Sequence, residues 1–242
     1  MNKVKNGDLK ISGSGSAAGG VFEDVDISGS GKINGNIDCH KFRTSGSSKV
    51  NGDISTNAFK VSGSSHIYGN VDSEDIHVSG NVHIDGHVGA KTVSISGSAH
   101  IERHLAAEFI EIKGGVTIDE SCSTEVFNMN GKFKIGGLLN ADTVDVHLYH
   151  RSSVKEIGGE TIKVRIGKTA FGLSKLFSPL VRTELTADLI EGDTIFLENT
   201  TAKVVRGNTV HIGAGCHIDL VEYKEKLTRS GDGTVRTEKK IL

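Results

Sequence analysis

Three histidines, His66, His83 and His100, are evenly spaced, each 17 after the last. If the chain repeats with that period, they stack about 4.8 Å apart on one face. Three stacked imidazoles are a donor set for a transition metal. Lys32, Lys49 and Lys134 hold the same place in their own repeats, so the row reads as an outward basic stripe. No carboxylate is read as recurring at a neighbouring offset to orient the rings, as metal-bound imidazoles require. The row is therefore read as a solvated face, with weak metal or anion binding as the sharper alternative. His87 and His104 make a second, two-step row with the same reading. No cofactor is expected, because nothing resembles a nucleophile triad, a P-loop or a dinucleotide fingerprint. The acidic residues are scattered outward, without an isolated apolar-flanked pair for acid–base work. One fragment, Val210-His211-Ile212-Gly213-Ala214-Gly215-Cys216-His217-Ile218, has the look of hexapeptide-repeat acyltransferases and keeps an enzymatic or small-ligand alternative open.

The repeat that positions these residues reads apolar–Ser–Gly–small–x–x–apolar, then x–Gly–x–apolar. Its glycines fall at Gly29, Gly46, Gly63, Gly80, Gly97, Gly114 and Gly131, each 17 after the last. Four positions after each glycine stand Ile33, Val50, Ile67, Ile84, Ile101, Ile118 and Ile135. Thirteen after stand Phe42, Phe59, Ile76, Val93, Ile110, Phe127 and Val144. Apolar and polar residues alternate within a copy, which means strands with one buried face. A fixed period without insertions stacks like on like, as in a coil and not a meander. The sequence thus predicts an all-β chain, a three-sided parallel β-helix. The expected divisions are a tail over 1–9, a main array over 10–166, an insertion over 167–186, a second array over 187–223 and a polar tail or partial cap over 224–242, with Thr234-Val235-Arg236 as a candidate last strand. The second array is expected to have shorter coils, because Gly192-Asp193-Thr194-Ile195 is answered by Gly207-Asn208-Thr209-Val210 just 15 further on. The first coil is one residue short, since Gly13 lies 16 before Gly29.

Composition agrees with a thin solenoid. The chain of 242 residues is 36% hydrophobic and 5% aromatic, without tryptophan, and aliphatic ladders can fill so narrow an interior. A net charge of −2 gives no push toward nucleic acid. Met1 to Asn6 is polar and no run of about 18 apolar residues exists, so a cytoplasmic protein without a membrane span is expected. Cys39, Cys122 and Cys216 are far apart in sequence and read as reduced, buried thiols. In the insertion, Leu173, Leu176, Phe177 and Leu180 have the spacing of one helical face. They are read as a cover for the solenoid wall or a contact for a membrane or partner.

The run Ile27-Ser28-Gly29-Ser30-Gly31-Lys32-Ile33-Asn34-Gly35-Asn36-Ile37 resembles the repeats of the bactofilins, bacterial polymer-forming cytoskeletal proteins. The likeness is close over about Ile11 to Val146. It implies a right-handed β-helix and nucleotide-free filaments built by end-to-end stacking. It also implies scaffolding of cell shape, of envelope enzymes or of motility machinery, with the inner face of the membrane as one place of action. Each coil of a solenoid touches only its neighbours, so the joint should use the terminal coils. The expected interface residues are Ile11 and Val25 at one end, and Val210, Ile212, Ile218 and Val221 at the other. The inward residues of that second end are apolar and are read as contributing no polar cap.

Overall fold

The computed structural model describes residues 7–167 and 183–242. Contacts divide the chain into two compact units, Met1–Glu120 and Ser121–Leu242. The division falls inside the stretch read from sequence as one main array.

The first unit is a parallel β-solenoid. Its strands are β1 (Leu9–Ile11), β2 (Ser14–Val21), β3 (Asp24–Ile27), β4 (Ser30–Thr44), β5 (Ser47–Asn51), β6 (Ile54–Val61) and β7 (Ser64–Ile67), then β8 (Val71–Val78), β9 (Asn81–Ile84), β10 (Val88–Ile95), β11 (Ser98–Ile101), β12 (Leu105–Ile112) and β13 (Gly115–Ile118). From β5 on, a coil is one short strand and one longer strand. The longer strand breaks its pairing once, as at Glu74, so three paired runs form each turn: Ser64–Ile67, Val71–Ser73 and Asp75–Val78. Every such rung joins positions 17 apart. The ladder Ile37, Ile54, Val71, Val88, Leu105 is continuous. So are Phe42, Phe59, Ile76, Val93, Ile110 and the Ile33-to-Ile118 row. All these side chains are buried. In the short first coil Ile11 pairs with Ile27, one position less than the full period, and an irregularity between Ala18 and Gly20 restores the longer step.

The glycine of the motif is there because backbone passes close by. A Cβ on Gly63 would lie 1.9 Å from the carbonyl oxygen of Gly46 and 2.5 Å from that of Ser45, and Gly29, Gly46, Gly80, Gly97 and Gly114 show the same conflict. That carbonyl of Gly46 accepts a hydrogen bond from the amide of Ser64, which ties one corner to the next. The small residue ten after the glycine also has work at a bend. The Thr56 hydroxyl bonds the carbonyls of His40 and Ala58, and the Ser73 hydroxyl those of Asn57 and Asp75.

The second unit is again a parallel β-solenoid: β14 (Cys122–Leu148), β15 (Ser152–Ile166), β16 (Leu185–Leu197), β17 (Thr200–Ile212), β18 (His217–Arg229) and β19 (Thr234–Lys240). Gly159, Gly192 and Gly207 share one column, as do Ile162, Ile195 and Val210. From β16 to β17 the rungs keep the short step of the Gly192–Gly207 pair throughout, and from β17 to β18 the step lengthens across an irregularity at Gly207/Thr209. Corners that the sequence reading missed carry positive φ at Asn199 (φ 44°), Gly215 (φ 69°) and Gly231 (φ 70°), with Gly215 packed on Asn199 and Gly231 on Ala214. This left-handed conformation favours glycine and tolerates asparagine. The stretch over 224–242, read as a polar tail or partial cap, is largely the end of β18 and β19, and β19 contains the candidate strand Thr234-Val235-Arg236. Its alternation is masked by charge, because the outermost strand has few apolar residues to cover. Leu173, Leu176, Phe177 and Leu180 lie outside the described residues.

Candidate functional site

Two regions of the surface carry more than packing: the outward histidine row of the first unit and the outermost coils.

The short strands β7, β9 and β11 set His66, His83 and His100 in direct register. Their neighbours Ile67, Ile84 and Ile101 point inward and are buried, so alternation turns the imidazoles outward. The rings of His66 and His83 stack with centroids 4.5 Å apart and planes 18° apart, and His83 and His100 follow at 4.6 Å. Tyr68 stacks on His66 at 4.0 Å. Lys32 and Lys49 continue the row on the preceding rungs.

One expectation is overturned here. Carboxylates do recur beside the row: Asp85, Glu102 and Asp119 each stand two residues beyond a row position, one coil further on. The Nε2 atom of His66 lies 2.7 Å from Asp85 Oδ1, that of His83 3.0 Å from Glu102 Oε1, and that of His100 3.0 Å from Asp119 Oδ2. Asp85 also reaches back to His83 at 3.4 Å. The row is a hydrogen-bonded histidine–carboxylate lattice and not a bare basic stripe. The missed signal was a spacing of one period plus two, which is shared by all three pairs. His87 and His104 stack at 5.0 Å with planes 3° apart, as their shared offset requires.

At the low-numbered end, the apolar side chains of Leu9, Ile11 and Ala17 are only half-buried, in contrast to Val25, Ile27 and Ile33. Leu9 and Ile11 stack on Val25 and Ile27. Val25 is itself covered by Leu9 on one side and Phe42 on the other, so it is not an end rung. At the high-numbered end, the residues expected in the joint lie further inside. Val210 pairs with Leu227, Ile212 with Arg229, Ile218 with Val235 and Val221 with Glu238. Glu238 stands where an apolar ladder would continue, and it forms an ion pair with Arg229. The outermost strand therefore carries polar groups beyond the apolar residues of the preceding coils. Next to it runs a row of alternating charge: Glu191, Arg206, Glu222 and Lys239 occupy successive rungs. Arg206 bonds Glu222 at 2.8 Å and Glu191 at 2.9 Å, and Lys239 bonds Glu222 at 2.9 Å. Lys239 and Arg206 together hold the Glu222 carboxyl below the usual carboxylate range.

The three thiols are buried and not bonded to one another, and burial pushes Cys122 up to about 12 and Cys216 to about 11. Thiols held so far from ionisation are poor nucleophiles. Cys216 lies in the hexapeptide-like fragment.

The family profile of the bactofilins, described as polymer-forming cytoskeletal, matches residues 2–88 and 47–123. The chain belongs to the bactofilin family. It is 56% identical over 234 residues, 96% of its length, to "Uncharacterized protein YhbE" of Bacillus subtilis (strain 168), of which the match covers 98%. It is 41% identical over 106 residues to "Uncharacterized protein YhbF" of the same strain, covering 43% of this chain and 42% of the relative. No solved structure matches it. As a bactofilin it is a member of a structural, self-associating family. Among its described residues no helix is long and apolar enough to cross a membrane.

Proposed function

We propose that this bactofilin is a scaffold that assembles end to end into filaments without a nucleotide, joined through its terminal coils. The observation that carries this reading is the half-buried apolar rung of Leu9 and Ile11 on β1. Among the described residues β1 is paired on one side, to β3, and a strand edge is a template for another chain. A second copy stacking there would extend the Ile and Phe ladders at the spacing they already have. Each added rung of apolar side chains is favourable at about 25 cal/mol per Å² removed from water. At the other end the mixed charges of Arg229, Arg236, Glu238, Lys239 and Lys240 suit a joint made by ion pairs, which salt would weaken.

The test is negative-stain electron microscopy with sedimentation, in buffer free of nucleotide. Filaments are expected from the parent chain, and short oligomers from Ile11→Arg, because a charge in that joint is desolvated and unpaired. Circular dichroism should remain β-rich in the variant. A parent chain that stays monomeric across salt and concentration would overturn the scaffold reading. Normal filaments from Ile11→Arg would move the joint elsewhere. Organisation of cell shape, envelope or motility machinery follows from such a filament as its use.

A further inference from the structure

We propose that His66, His83 and Asp85 form a binding site for a divalent first-row transition metal, zinc in the first place, on the outer face of the first unit. The donor atoms are His66 Nε2, His83 Nε2 and Asp85 Oδ1, and all three lie within 4.8 Å of one another. Asp85 Oδ1 is 2.7 Å from the first and 3.4 Å from the second. A tetrahedral zinc with bonds of about 2.0–2.1 Å holds its donors about 3.3–3.4 Å apart, so the three need only small side-chain adjustments to surround an ion. The three side chains are 30–38% exposed, which leaves them room to adjust and leaves water a fourth position.

The backbone does the positioning. His66 and His83 are register partners in adjacent short strands whose inward residues are locked in the core. Tyr68 stacked on His66 restricts its ring from the other side. Two imidazole nitrogens with one carboxylate select zinc, copper(II) or nickel over magnesium or calcium, which prefer oxygen donors. Glu102, 3.0 Å from His83, adds a second negative charge at the edge of the site. Lys49 stands on the rung before His66 and opposes a cation, but it is exposed and on a flexible stem, so solvent screens it. The hydrogen-bonding Nε2 atoms must present a lone pair to the metal, so a hydrogen between Nε2 and its carboxylate has to move off that nitrogen, to the other ring nitrogen or to water.

The experiment is isothermal titration calorimetry of zinc chloride into the full, untagged chain with magnesium present, repeated in two buffers of different ionisation enthalpy. One zinc per chain, with the same affinity in both buffers, is expected. His83→Gln and Asp85→Asn, with unchanged circular dichroism, should each weaken binding by at least about tenfold. His104→Gln, which removes an outward histidine of the other row, should leave it unchanged. No heat up to millimolar zinc, equal competition by magnesium, or unchanged affinity in both site variants would overturn the proposal. So would an equal loss in His104→Gln, which would mean diffuse binding to surface histidines.

Discussion

Phe59→Ala tests the ladder architecture most directly. The Phe59 ring is 1% exposed and stacks on Phe42 with centroids 5.3 Å apart and planes 9° apart. On its other side it meets Ile76 in register. Truncation removes the ring from a column whose rungs are held apart by backbone hydrogen bonds, so Phe42 and Ile76 cannot close the gap along the axis. The cost should therefore lie in the upper part of the usual range for Phe to Ala, about 4–5 kcal/mol. For a chain of this size each kcal/mol moves the melting temperature by about 2–4 °C, so the drop should be roughly 8–20 °C. Far-UV circular dichroism melts at matched protein concentration give the readout. Lys49→Ala, an outward position on β5 earlier in the same coil, is the control and should change stability by no more than about 0.5 kcal/mol. A Phe59→Ala protein melting within about 2 °C of the parent, less than the shift for a single kcal/mol, would refute the inward assignment of this column.

Three further outcomes follow from single positions. Thr44 sits in an otherwise apolar ladder between Ile27 and Val61, fully buried, and its hydroxyl has no hydrogen-bond partner. Thr44→Val should therefore raise stability, by about 1–2 kcal/mol in denaturant unfolding, and a loss would show that the hydroxyl is satisfied. Gly63→Ala must push its Cβ against the Gly46 carbonyl, and should lower stability by about 1–3 kcal/mol; a neutral result would mean that the corner yields. The depressed Glu222 carboxyl contributes stability that is present above the ordinary carboxylate range and lost as pH falls through its folded value. Glu222→Gln should expose β19 to protease at neutral pH and flatten the acid dependence of that cleavage; identical cleavage profiles would remove Glu222 from the account.

The ladders were legible because a fixed period without insertion leaves no freedom in register. Phe42, Phe59 and Ile76 had to stack once the chain coiled, and they do. The histidine row was legible for the same reason. Its carboxylates were not, because they form a row whose chemistry changes along its length: Asn34, Asn51 and Tyr68 precede Asp85, Glu102 and Asp119 at the same offset. Residue identity alone does not mark that row, and the bond from His66 to Asp85 crosses from one coil to the next. The last coil was legible only at Thr234-Val235-Arg236. Val235 stacks on Ile218 and Leu227 on Val210, but Lys224, Lys226, Arg229 and Arg236 surround them, and composition outweighed alternation.

These cases share one physical origin. Parallel stacking brings identical offsets within about 4.8 Å of each other. For Ile or Phe that proximity is favourable on every rung, so an inward position can repeat indefinitely. For a like charge it is unfavourable by about 1 kcal/mol per pair in water, and by several times that where the environment is partly dry. An outward row of polar groups therefore gains from a complementary partner, least where, as at Lys32 and Lys49, the groups are on flexible stems in water. The first unit supplies it from the neighbouring row, with Asp85, Glu102 and Asp119 hydrogen-bonded to the histidines. The second unit does so within the row, by alternating Glu191, Arg206, Glu222 and Lys239. Strict periodicity inside and drift outside are thus two consequences of the same coil. The positions where outward chemistry gathers, the histidine row and the charged last coils, are those where compensation placed reactive groups side by side.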